Sequence, residues 1–143
     1  MLVINKKDAG FTLMELVVAI MILGILMVTI GIPIFKYIGR ANERKTQSGL
    51  VVIRQALNDY KFDVGTFPNA LIDLLRKPSG PAGIKWREPY LDESTLNLEG
   101  NNILDAWDNP YHYNRTPGGK RSFELFSDGD PDKPKKIDVW EIR

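Results

Sequence analysis

Between Leu16 and Phe35 the chain runs for 20 residues without a charged side chain, LVVAIMILGILMVTIGIPIF. As an α-helix such a run spans about 30 Å, the thickness of a bilayer's hydrocarbon core. A helix that is apolar all round must be enclosed by lipid or by other helices, and a chain of 143 residues has little else with which to enclose it. A secretory signal has an apolar core of only roughly 7–15 residues followed by a small-residue cleavage site. Ile30 to Phe35 offers no such exit, so the segment is expected to remain as a membrane anchor. Lys6 and Lys7 precede it, which places the N-terminus in the cytoplasm and the rest of the chain across the membrane.

Composition removes several classes of function. Lys and Arg total 19, Asp and Glu total 18, and the net charge of +1 gives no basic surface for nucleic acid. The chain has no cysteine, hence no disulfide scaffold, thiolate metal site or cysteine nucleophile. With one histidine, His112, it cannot build a multi-histidine zinc site within one chain. Enzymatic activity is not expected.

Glu15 interrupts an apolar stretch that begins at Phe11. A charge at the bilayer centre costs about 2.5–3.5 kcal/mol on insertion scales and less near the end of a span. Glu15 is therefore either an interfacial residue without consequence or a carboxylate whose positive partner arrives on assembly.

After Lys36 the composition turns polar while helical periodicity continues. Ile53, Ala56, Leu57, Tyr60 and Val64 share one face, and Arg54, Asn58, Asp59, Lys61 and Asp63 lie opposite. One helix is expected from Phe11 to Val64, stopped by Gly65 and Pro68. Gly24 and Gly31 would allow close helix approach or bending, and Pro33 is expected to kink or locally melt it. Residues 66–110 read as loop around one short helix, capped by Asn69 and running to Leu75, with Pro78–Gly83 as a turn. Strands are expected at Tyr111–Arg115 and Ser122–Ser127, joined through Pro117-Gly118-Gly119, with a third from Ile137 to Ile142. His112 reads as a packing or hydrogen-bonding residue, and Trp86, Trp107 and Trp140 as filling between helix and sheet. The fold class is α+β.

Lys6-Lys7-Asp8-Ala9-Gly10 followed by Phe11-Thr12-Leu13-Met14-Glu15 resembles the class III signal of type IV pilins and pseudopilins. The resemblance implies that a prepilin peptidase cuts after Gly10 and that Phe11 is N-methylated. It implies that Glu15 neutralises the Phe11 ammonium of a neighbouring subunit in a helical filament. Three parts follow: a leader over residues 1–10, an anchoring and assembly segment over 11–35, and a periplasmic pilin-like domain over 36–143.

Further elements resemble the major pseudopilin of type II secretion. They are Asn58–Pro68, Leu71–Pro78, Trp86–Leu91 and Leu104-Asp105-Ala106-Trp107-Asp108-Asn109-Pro110-Tyr111, where Ala106 and Asp108 replace the usual Pro and Gly. This implies an inner-membrane subunit of a periplasmic pseudopilus that works with minor pseudopilins, an inner-membrane assembly platform and a cytoplasmic ATPase to export folded proteins. A type IV pilin or a competence pseudopilin for DNA uptake shares the architecture, and an anchored periplasmic binding domain is a more distant reading. The family also binds a structural calcium in its C-terminal loop, for which Ser127, Asp128, Asp130, Asp132 and Asp138 are the candidates here. An EF-hand is excluded, because Lys133 and Val139 occupy its Gly and Glu positions. Lys135 and Lys136 stand where the family has acids and oppose a cation. The residues alone also fit a polar Asp-Gly-Pro turn.

Overall fold

A computed structural model describes residues 10–142, without the side chains of residues 31–33. The leader residues Lys6, Lys7 and Asp8 lie outside the described residues. The chain divides into two compact units, Met1–Ile38 and Gly39–Arg143. Helix α1, Leu13–Val64, contributes to both. It is helical without a break through residues 31–33, so the local melting expected at Pro33 does not occur. A proline removes one N–H from the ladder, and the turns on either side continue.

In the first unit the apolar side chains of α1 are exposed, among them Leu16 at 61%, Ile25 at 67% and Met27 at 76%. The one hydroxyl of the uncharged run, on Thr29, donates to Leu26 O at 2.9 Å and Ile25 O at 3.3 Å. The helix thus satisfies its own polar groups, as a segment in hydrocarbon must.

In the second unit Leu50, Ile53, Ala56, Leu57, Tyr60 and Val64 form the buried stripe of α1, the face that the periodicity selects. Gly65, with φ of 92°, ends the helix and donates its N–H to Lys61 O at 2.8 Å. A left-handed residue here needs glycine. The 3-10 turn Leu71–Leu74 follows. Its cap is not Asn69. Asp73 reaches back and accepts from the N–H groups of Asn69 and Ala70, while Asn69 Oδ1 accepts from Arg115. The Pro78–Gly83 segment is not turn alone, because Pro81–Lys85 forms the short helix α2 with proline at its start.

Residues 97–104 form a hairpin rather than loop. Strand β1, Asn97–Glu99, pairs antiparallel with β2, Asn102–Leu104. Gly100, with φ of 60°, takes the first of the two loop positions, where a tight hairpin favours glycine. The second sheet has the order β3 His112–Arg115, β4 Phe123–Ser127, β5 Ile137–Asp138, all antiparallel. Phe123, Leu125 and Ser127 of β4 alternate inward, and Phe123, Leu125, Ile103, Ile137 and Val139 join the core with α1. Strand β5 stops at Asp138 instead of Ile142, because its carboxylate accepts from Trp140 N–H and turns the chain. The tryptophans edge the core rather than fill it. Trp86 donates Nε1–H to Asp73 O, Trp140 donates to Phe123 O, and Tyr60 and Phe123 are the large aromatic side chains fully buried.

Candidate functional site

Helix α1 begins at Leu13 because Thr12 and Glu15 cap it. Glu15 N–H donates to Thr12 Oγ1 at 3.2 Å, and Thr12 N–H donates to Glu15 Oε2 at 3.4 Å. This reciprocal pair is a capping box, and its carboxylate also faces the positive end of the helix dipole. A capping residue has non-helical backbone. Gly10 and Phe11 therefore stay outside the helix, and both are exposed, Phe11 at 88%. The Gly10–Phe11 bond, the expected cleavage point, lies in open backbone free of helical hydrogen bonds. The spacing Thr-x-x-Glu was a readable capping signal that a reading of Glu15 as an assembly residue alone passes over.

The second cluster lies around the C-terminal loop of the Gly39–Arg143 unit. Asp105 is buried, 2% exposed, in the turn after β2. Its Oδ1 accepts from Trp107 N–H at 2.8 Å and Asn109 N–H at 3.0 Å, and its Oδ2 accepts from Ser127 Oγ–H at 2.5 Å. Ser127 Oγ accepts in turn from Gly129 N–H at 2.9 Å. Thr46 of α1, also buried, accepts from Ala106 N–H. Tyr111 Oη points at Thr46 O and overlies Gly49, where a Cβ would collide with it. Burial, and then the nearby Asp105 charge, pushes the Tyr111 phenol up to about 12. Asp105 thus anchors the turn between the sheets and holds the start of the loop, a role that its position in sequence does not announce.

Four of the five candidate calcium ligands have side-chain partners within the chain, and Asp132 contributes only its backbone N–H. Ser127 belongs to Asp105. Asp128 Oδ2 lies 2.8 Å from His112 Nε2, and the His112 ring stacks on Phe126 at 4.8 Å. Asp130 Oδ1 accepts from Asp132 N–H at 2.9 Å. Asp138 Oδ1 accepts from Trp140 N–H, and its Oδ2 lies 3.2 Å from Arg121 Nη1 and 3.7 Å from Lys136 Nζ. Among the described residues no three His, Asp or Glu side chains converge as a metal site would require. His112 bonds and packs, as expected.

The family model for the type II secretion system (T2SS), protein G, matches residues 33–139, well over half of the chain. The model for the prokaryotic N-terminal methylation motif matches residues 5–31. The chain belongs to the type II secretion protein G family. The type II secretion system core protein G of Pseudomonas aeruginosa is 30% identical, over 96% of this chain and 98% of that protein. That of Vibrio cholerae is 30% identical over 87% and 82%. The crystal structure of the major pseudopilin from the type 2 secretion system of enterohaemorrhagic Escherichia coli superposes with a TM-score of 0.52 at 27% identity, covering 71% of this chain and 88% of that one. The α+β architecture of a long N-terminal helix with small antiparallel sheets is that of a pseudopilin, and the chain is a major pseudopilin, a structural subunit of the type II secretion machine.

Within this family frame the departure at Asp108 has a physical reading. Asp108 has φ of 61°, the left-handed conformation that glycine adopts freely and aspartate tolerates better than most residues. The turn keeps its shape because Asp105 fixes it on both sides. The C-terminal loop departs further. Arg121 and Lys136 lie against Asp138, and His112 lies against Asp128.

Proposed function

We propose that the chain is made with its N-terminus in the cytoplasm, cut after Gly10, N-methylated on Phe11, and held in the inner membrane by α1 until it enters a pseudopilus. Many copies then pack by their apolar helices into a helical filament, joined by minor pseudopilins and built on an inner-membrane platform, which drives folded proteins across the outer membrane. The role is mechanical and needs no active site. What carries this reading is the exposed apolar half of α1, which begins at a capped Thr12–Glu15 turn and leaves Gly10–Phe11 open to a peptidase. Cleavage creates an ammonium on Phe11 beside apolar surface. The Glu15 carboxylate of a neighbouring copy relieves the cost of holding that charge in lipid or in a filament core.

Two substitutions separate assembly from capping. Glu15→Gln keeps a side chain that can close the capping box but removes the charge, whereas Glu15→Ala removes both. Mass spectrometry should find both variants cleaved and methylated, while filament yield and exoprotein release fall in both. Wild-type filament yield from Glu15→Gln would sink the charge-pair reading and leave Glu15 as a helix cap.

A further inference from the structure

Many of the oxygens that could line a cation site in the C-terminal loop already have a partner from the chain itself. Beyond the side-chain pairs above, Asp128 O accepts from Lys135 N–H at 3.0 Å, and Asp130 O accepts from Lys133 N–H at 3.1 Å. Lys135 O is turned onto Gly129, where a Cβ would stand 2.6 Å from it. Gly129, with φ of 76°, is the residue whose bare backbone lets the returning strand come so close. The two ends of the loop are therefore zipped by backbone contacts, which is the task that a bound metal performs in a loop unable to close on itself.

The charges tell the same story. Ser127–Asp138 contains four carboxylates and three lysines, and calcium affinity is set by how many uncompensated carboxylates a site gathers. Asp138 is largely covered, its side chain 13% exposed, and it has two cations of its own, Arg121 from before β4 and Lys136 from the loop. Lys136 also lies 4.0 Å from the centre of the Phe126 ring, and Lys135 lies 3.3 Å from Glu43 of α1. A divalent ion entering here would have to displace two cations from one carboxylate and His112 from another.

We propose that the Asp128–Lys136 loop of this pseudopilin closes without calcium, its cation supplied from within the chain by Lys136 and Arg121 on Asp138, and its ends joined by the Lys135–Asp128 backbone bond and the Gly129 contact. The proposal is independent of the filament role assigned above, because it concerns only how the loop is held.

The test uses the full-length chain in detergent micelles, with thermal unfolding followed by tryptophan fluorescence, since Trp86, Trp107 and Trp140 all lie in the Gly39–Arg143 unit. Melting in about 5 mM calcium chloride and in chelator should coincide, because only a ligand bound to the folded state raises its melting temperature. A rise of more than about 3 °C with calcium would overturn the proposal. Lys136→Ala should melt lower than wild type by the same few degrees in both solutions. A Lys136→Ala variant as stable as wild type would equally overturn it, since Asp138 would then not depend on that cation. If Lys136→Ala fails to fold, calorimetric titration of the wild type with calcium alone decides the matter: no binding heat supports the proposal, and a saturable heat at one site per chain defeats it.

Discussion

Replacing Asp105 by alanine tests whether one buried carboxylate organises the region between the two sheets. The substitution leaves Ser127 Oγ–H and the N–H groups of Trp107 and Asn109 without their acceptor. A hydrogen bond to a charged acceptor contributes about 1.5–3 kcal/mol net, and a buried donor left unsatisfied costs its full desolvation. Ser127 is fully buried, 0% exposed, so water cannot replace its partner. That bond should count at the upper end, about 2–3 kcal/mol. Trp107 and Asn109 sit on a half-buried turn where water can enter the space left by the carboxylate, so each should count about 1 kcal/mol or less. The expected loss is then about 4 kcal/mol, a large share of the 5–15 kcal/mol typical of a domain. Urea unfolding of the full-length chain in detergent, read by tryptophan fluorescence, measures it directly. Asp105→Asn, which keeps one oxygen for the two N–H groups but places an amide against Ser127, should lose only about 1–2 kcal/mol. A loss below about 1 kcal/mol for Asp105→Ala would refute the reasoning, because it would mean that the three donors find other partners without strain.

Two other outcomes follow from the same region. Gly49→Ala places a methyl group against Tyr111 Oη. The overlap should cost about 1–3 kcal/mol against a helix gain of about 1 kcal/mol, and Gly49→Ala combined with Tyr111→Phe should be at least as stable as wild type. Equal effects of Gly49→Ala with and without the phenol, measured by urea midpoints, would remove the contact. Stability should also fall at alkaline pH. Burial holds the Tyr113 phenol protonated well above its ordinary range, and burial with Asp105 takes Tyr111 to about 12. Between about pH 10, where an unfolded tyrosine ionises, and the higher folded values, the folded chain binds more protons, so stability drops as pH rises through that window and is unaffected below it. Melting temperatures across this range should show the fall, and Tyr111→Phe should reduce it while leaving the part due to Tyr113.

The sequence by itself determined whatever depends on residues near one another along the chain. The uncharged run, the Gly10–Phe11–Glu15 signal and the buried stripe Ile53, Ala56, Leu57, Tyr60 and Val64 are periodic or contiguous, and helical geometry turns such patterns directly into faces. The β3–β4 hairpin was legible for the same reason, since Pro117-Gly118-Gly119 separates the aromatic-rich Tyr111–Arg115 from the alternating Ser122–Ser127. The β1–β2 hairpin was equally local, with Gly100-Asn101 between Leu98 and Ile103, but its strands are only three residues each and hardly alternate. Tertiary structure alone decided which charges meet. Asp105 reaches Ser127 from 22 positions away, and Arg121 reaches Asp138 from 17. A row of aspartates in sequence reads as a cation site because the eye supplies no competing donors. Folding brings His112 of β3 to Asp128 and Arg121 to Asp138, neighbours 16 and 17 positions away that no local pattern announces.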